Sequence, residues 1–245
     1  MIYLQNYKMK STDFSGIRHR MKDYKVHTYE EAIDVVREIG FLPLAKLIPN
    51  YPSLDSITAK EHWYTGSELD PWLWRAKFPG DGAAAYGKFV KKKSVLLSTE
   101  LLPFIRAILG SPLSVENRYQ DGLMSREAVE LFALIKENEG IDTRVLRVEA
   151  GMKDKEKKKL FDNALLELQG SIDIVVSGTK AKTNDAGEKN GWSSTSFETM
   201  NYWAKNHRID EVLIEKEDAK LKVRDHFASI CSNEAMKAFN KIFGL

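Results

Sequence analysis

The chain has 245 residues, 43% hydrophobic and 29% charged, with a net charge of +2, which suits a folded chain with room for one large domain or two smaller ones and excludes a disordered polyelectrolyte. No run approaches the roughly eighteen apolar residues that cross a bilayer, and the N-terminus has neither an apolar h-region nor a small-residue cleavage site. A single cysteine, Cys231, excludes an intrachain disulfide, so a reducing compartment and a cytoplasmic protein are expected.

Residues 1–27 are polar and weakly patterned and predict an irregular lead-in. Thr28 then caps a helix in which Tyr29, Ala32, Ile33, Val36 and Ile39 recur at helical spacing, with Gly40 as its stop. FLPLAKLI reads as a short extended piece, and residues 53–60 as another short helix. The stretch DPWLWRAKFPGDGAAAYGKFVKKKSVLLS places Pro71 at a first helical position behind the cap Asp70, and Gly80-Asp81-Gly82 at a turn. AAAYGKFVKKK is expected to be helical, residues 94–98 a strand, 99–109 a helix and 111–122 a loop, the best boundary in the chain.

Beyond that loop, Ser125 caps an amphipathic helix ending near Gly140, Ile141-Asp142 forms a short strand, and Thr143 caps a second short helix. A third helix is expected over 154–169, with Leu160, Phe161, Ala164, Leu165 and Leu168 as its apolar stripe. IDIVVSG alternates as a strand, TKAKTNDAGEKNG is a polar loop, WSSTSFET returns as a strand, and 198–206 is a helix. Helix, short helix, helix, strand, long loop, strand is the plan of a winged helix-turn-helix. The fold expected is therefore α+β, mainly α with short antiparallel strands, and the winged helix occupies 123–206.

In such a unit the third helix commonly enters the major groove and the wing meets backbone. Lys155, Lys158, Lys159 and Asn163 are the candidates on the third helix, and Lys180, Lys182 and Lys189 in the wing. Lysine neutralises phosphate, and asparagine is suited to bidentate contact with adenine. Lys88, Lys91, Lys92 and Lys93 form a second candidate phosphate patch. Acids interleave, so a solvated helix face is the competing reading. Trp72, Trp74 and Tyr86 would stack on bases if exposed, though aromatics at this density favour a core.

AYGKFVKKKSVLLSTELLPFIRAI, SREAVELFALIKENEGIDTRVLRVEAG, FDNALLELQ, WSSTSFETM and the C-terminal KEDAKLKVRDHFASICSNEAMKAFNKIFGL together resemble the AlkZ-related branch of the YcaQ/AlkZ-like winged-helix superfamily, whose better-known members are bacterial DNA glycosylases. The resemblance implies tandem winged helices and nucleic-acid binding, with an α/β or degenerate winged-helix part at 28–110 and a helical extension at 207–245 resembling a partial helix-turn-helix. It does not carry over catalysis. The Gln-x-Gln motif of those glycosylases has no counterpart, since Gln5, Gln120 and Gln169 are the only glutamines.

No phosphate loop, metal-binding helix or nucleophile elbow is present. The five histidines have no ligand spacing, so neither a metal nor a cofactor is expected. Glu68 and Asp70 are the acid/base candidates beside the aromatic stretch. The leading expectation is a DNA-binding, repair-related winged-helix protein. A glycosylase-like enzyme with a non-standard site and a protein-interaction scaffold are the alternatives, the latter admitting a homo-oligomer or a protein partner.

Overall fold

The computed structural model describes residues 22–182, 193–210 and 212–245; the expected lead-in lies almost wholly outside them. Thr28 caps α1 (Tyr29–Ile39): its hydroxyl accepts the Glu31 N–H at 3.2 Å, and the Glu31 carboxylate accepts the Thr28 N–H at 3.3 Å. This reciprocal pair satisfies two donors that a helix start leaves open. Gly40, in the left-handed region at φ 74°, turns the chain into β1 (Phe41–Pro43). Next come α2 (Leu54–Ile57), a 3-10 turn (Lys60–His62) and α3 (Pro71–Gly80).

The alanine-rich run after α3 is a strand, not the helix expected. It forms β2 (Ala84–Val90), which pairs with β3 (Lys93–Ser98) through a two-residue turn. Alanine favours helix locally, but every β2 residue except Lys88 is buried, and a strand paired on both edges outweighs that preference. Helix α4 (Leu102–Leu109) follows. Where a loop was expected, Ser114 caps α5 (Val115–Gln120), whose Val115 and Arg118 are buried.

Ser125 caps α6 (Arg126–Glu137), which leads to β4 (Ile141–Asp142) and α7 (Thr143–Glu149). Asp142, not Thr143, caps α7, accepting the Arg144 N–H at 2.9 Å, while the Thr143 hydroxyl donates to the Thr195 carbonyl. Helix α8 (Lys158–Gly170) starts four residues later than expected. The Arg147 guanidinium binds the carbonyls of Met152, Lys153 and Asp154 and holds the preceding segment as a turn. Leu160 is half exposed, because at 3.6 residues per turn it lies about 90° from the centre of the Phe161/Ala164/Leu165/Leu168 stripe. Strands β5 (Ile174–Lys180) and β6 (Ser194–Thr199) precede α9 (Met200–Asn206), α10 (Lys216–Ile230) and α11 (Asn233–Phe243). The expected alternation in β5 fails at its start, where Ile174, Val175 and Val176 are all buried.

The fold is α+β. The six strands form one antiparallel sheet in the order β1-β3-β2-β5-β6-β4. One buried row crosses all six: Leu42, Leu96, Tyr86, Val176, Phe197 and Ile141 are successive cross-strand partners.

Helix, strand, helix, helix, strand, strand, helix therefore occurs twice in the element order, as α1-β1-α2-α3-β2-β3-α4 and as α6-β4-α7-α8-β5-β6-α9. The repetition reaches single hydrogen bonds. After α3, the N–H groups of Asp81, Gly82 and Ala83 donate to the carbonyls of Lys77, Pro79 and Phe78; after α8, those of Ser171, Ile172 and Asp173 donate to Glu167, Gln169 and Leu168. Gly82 and Ile172 hold the same place in the two turns, both left-handed at φ 69° and 55°. That backbone is strained for a β-branched residue, and full burial of the Ile172 side chain offsets the strain.

The C-terminal helices close the β1 end. Phe227, Phe239 and Phe243 pack edge-on to Phe41, and α10 packs mainly on α4. Among the described residues no helix is long and apolar enough to cross a membrane, and no group of three His, Cys, Asp or Glu side chains could hold a metal ion.

Candidate nucleic-acid interface

The buried stripe of α8 packs on α6, β2 and β5 and leaves Lys158, Lys159 and Asn163 exposed. Lys158 makes a solvent-exposed ion pair with Asp162 at 2.9 Å, a contact that contributes little in water and is readily exchanged for a phosphate. Lys155 lies in the turn ahead of the helix, beside Lys153 and Lys157, and is exposed. Lys157 donates to the Gly151 carbonyl at 3.0 Å, so this turn is fixed by two cations, Arg147 and Lys157, that bind its own backbone.

Lys88 is the one exposed residue of β2. Its N–H donates to Gln169 Oε1 at 2.9 Å, which joins the first hairpin to the C-terminal end of α8. Gln169 lies eleven steps along the helix from Lys158, so the basic first turn of α8 lies roughly 16 Å from this junction. Lys91 and Lys92 form the hairpin tip, both left-handed at φ 49° and 59°, and Lys93 begins the returning strand. All four lysines of this patch are exposed. Lys180 ends β5, with its carbonyl accepting from Arg144 at 3.2 Å, and Lys182 is exposed just beyond. Lys189 lies outside the described residues.

The aromatic stretch divides. Trp74 and Tyr86 are core residues, 2% and 6% exposed, and Trp74 donates its indole N–H to the Glu68 carbonyl at 2.7 Å. Trp72 is only partly covered. Asp70 is 1% exposed, and its carboxylate accepts the N–H groups of Tyr64, Gly66 and Trp72 at 2.9–3.0 Å. Glu68 is exposed.

No sequence pattern pointed to a second group of carboxylates, which lies beside β4 and β6. An open cleft next to β4 is lined by Glu139, Asp142, Glu149 and Lys180. Glu139 accepts from the Thr199 N–H and hydroxyl at 2.7 and 2.6 Å, yet burial raises its carboxyl above the usual range. Burial, and then the neighbouring Glu139 charge, also raise Glu198. Neither belongs to a catalytic motif, and the β4–β6 pairing with the Glu139–Thr199 hydrogen bonds brings them together.

A family model described as AlkZ related matches residues 26–244. No curated protein and no solved structure matches the chain.

Proposed function

The chain belongs to the AlkZ-related family, and from that premise we propose that it is a DNA-binding protein of two winged-helix units, residues 28–110 and 123–206, carrying a helical extension at 207–245. The repair-related chemistry associated with the family resemblance sets the cellular setting. The observation that carries the reading is the doubled element order on one sheet, with exposed lysines at the start of the second unit's third helix and at both hairpin ends. Lys158 and Lys159 neutralise phosphates, Asn163 faces base edges, and Lys88, Lys91, Lys92, Lys93, Lys180 and Lys182 extend the contact along the backbone.

The commitment of the Asp70 carboxylate to three amides supports a structural role for that residue and weighs against a glycosylase-like reaction built on Asp70.

The test is salt-dependent binding of the full chain and of the Lys158→Glu/Lys159→Glu variant to a fluorescent duplex. Both side chains are exposed, so folding is retained. The variant is expected to lose most of the affinity, and the slope of log K against log salt should shrink by about 1.8 for the two phosphates given up. Unchanged binding would remove α8 from the interface. No binding by the wild type at low salt would reject the reading as a whole.

A further inference from the structure

Tyr64 stands at φ 63°, a conformation bulky residues rarely adopt, and the residue is 69% exposed. It is held there by Asp70, whose buried carboxylate ties the Tyr64 N–H to the start of α3. The ring lies 5.2 Å from that of Trp72, tilted by 50°. The Arg75 guanidinium sits over the Trp72 ring at 3.6 Å. Tyr64, Trp72 and Arg75 thus form a ladder of two rings and a cation. Leu69 and Leu73, 41% and 48% exposed, lie at the same end of α3.

This cation is short of hydrogen-bond acceptors. Arg75 Nε is buried without a hydrogen-bond acceptor, and among the described residues Arg75 forms no ion pair. A guanidinium stacked on an indole and short of acceptors suits a ligand that is both flat and anionic. Glu61 and Glu68 are exposed in the same loop, which disfavours a long phosphate track and confines the site to a small anionic unit. A nucleotide base with its own phosphate meets these conditions. The surface lies on α3, the first unit's counterpart of α8, whereas the basic patches lie on α8 and the hairpins.

We propose that Tyr64, Trp72 and Arg75 form a stacking site for one unpaired base of a bound nucleic acid, with the Arg75 guanidinium beside that nucleotide's phosphate. The proposal rests on the reading of the chain as a DNA-binding protein and adds to it a preference for an extrahelical or single-stranded nucleotide. Sequence tolerance follows, because every base has a π-face.

The experiment compares binding of the full chain to a fully paired duplex and to the same duplex carrying one unpaired thymine. Wild type is expected to bind the bulged probe more tightly. Tyr64→Gly should abolish that preference, a loss of about 5- to 150-fold on the bulged probe alone, the range that stacking one base supplies. Glycine accepts the left-handed backbone, so this variant keeps the fold, and an unchanged melting temperature checks it. Tyr64→Phe should retain the preference, and Arg75→Gln should lower it. Equal binding of both probes by wild type, as when a protein partner covers these rings, overturns the proposal, and so does a Tyr64→Gly effect of the same size on both. Paired-duplex binding that depends on Lys158 and Lys159 would then leave the DNA-binding reading standing, whereas no binding to either probe rejects both.

Discussion

Tyr86 and Val176 are cross-strand partners, and that contact joins the hairpin of the first half to the hairpin of the second. Both residues are buried, at 6% and 4% exposure. Around them each half reaches into the other. Trp203 of α9 donates its indole N–H to the Pro79 carbonyl at 2.8 Å, α3 packs on β5, and α8 packs on β2. The hairpins that flank the basic helix are thereby fixed to one another, and the lysines they carry keep a set spacing.

Breaking one long-range polar tie should therefore destabilise the whole. Arg118 of α5 pairs with Asp173 at 2.6 Å, with side chains 7% and 17% exposed. Arg118→Met leaves the Asp173 carboxylate, among the described residues, with only the Ser171 hydroxyl and is expected to cost up to about 3 kcal/mol, the low end of the range for a buried pair because Asp173 is partly exposed. Urea unfolding followed by tryptophan fluorescence measures it. A single transition at a lower midpoint is expected; two separated transitions would show that the halves unfold independently.

The hairpin tip should trade stability against binding. Lys91 and Lys92 occupy left-handed positions that a two-residue hairpin turn normally fills with Asn-Gly. The Lys91→Asn/Lys92→Gly variant should gain about 1 kcal/mol or more by relieving that strain. The same variant should bind duplex DNA more weakly, with a salt slope smaller by about 1.8 for two lost contacts. Thermal melting and binding titrations on the same sample decide the point, and a stabilised variant with unchanged affinity would exclude the tip from the interface.

The Glu139–Glu198 pair should give a pH signature. Burial and the Glu139 charge raise the Glu198 carboxyl, so the folded state favours its protonated form. Its contribution is present in full below the ordinary glutamate range and is lost as pH rises through the raised folded value. Glu198→Gln should then match wild type near pH 4 and exceed it at pH 7–8. The gain should be less than about 1 kcal/mol, because the pair is partly solvated. Melting temperatures across that range test it; a variant less stable than wild type at neutral pH would mean that the charged carboxylate is stabilising.

Much of the helical skeleton was legible because its determinants are local. Thr28, Asp70 and Ser125 cap helices through hydrogen bonds that span only two or three residues along the chain, and the chain's own pattern is enough to mark them. Four of the five stripe residues of α8, all but Leu160, and the returning strand before α9 were equally plain. The candidate lysines were found by charge, and most are exposed, but charge alone could not separate Lys158 on the helix from Lys155 in the turn before it. That distinction depends on where Arg147 binds carbonyls.

What the sequence by itself determined was the α+β class, the family and the helix starts at Thr28, Asp70 and Ser125, all of which follow from contacts within a few residues or from residue identity. Tertiary structure alone decided that residues 84–90 are a strand, since alanines that favour helix in isolation become strand only when β3 and β5 hydrogen-bond on either side. It alone decided that the element order is doubled, because the two turns after α3 and α8 share backbone bonds and little side-chain identity. It also separated Trp74, in the core, from Trp72 and Tyr64, at the surface. Burial is a property of what packs across from a residue, and for these rings that partner lies far away in the chain or is solvent.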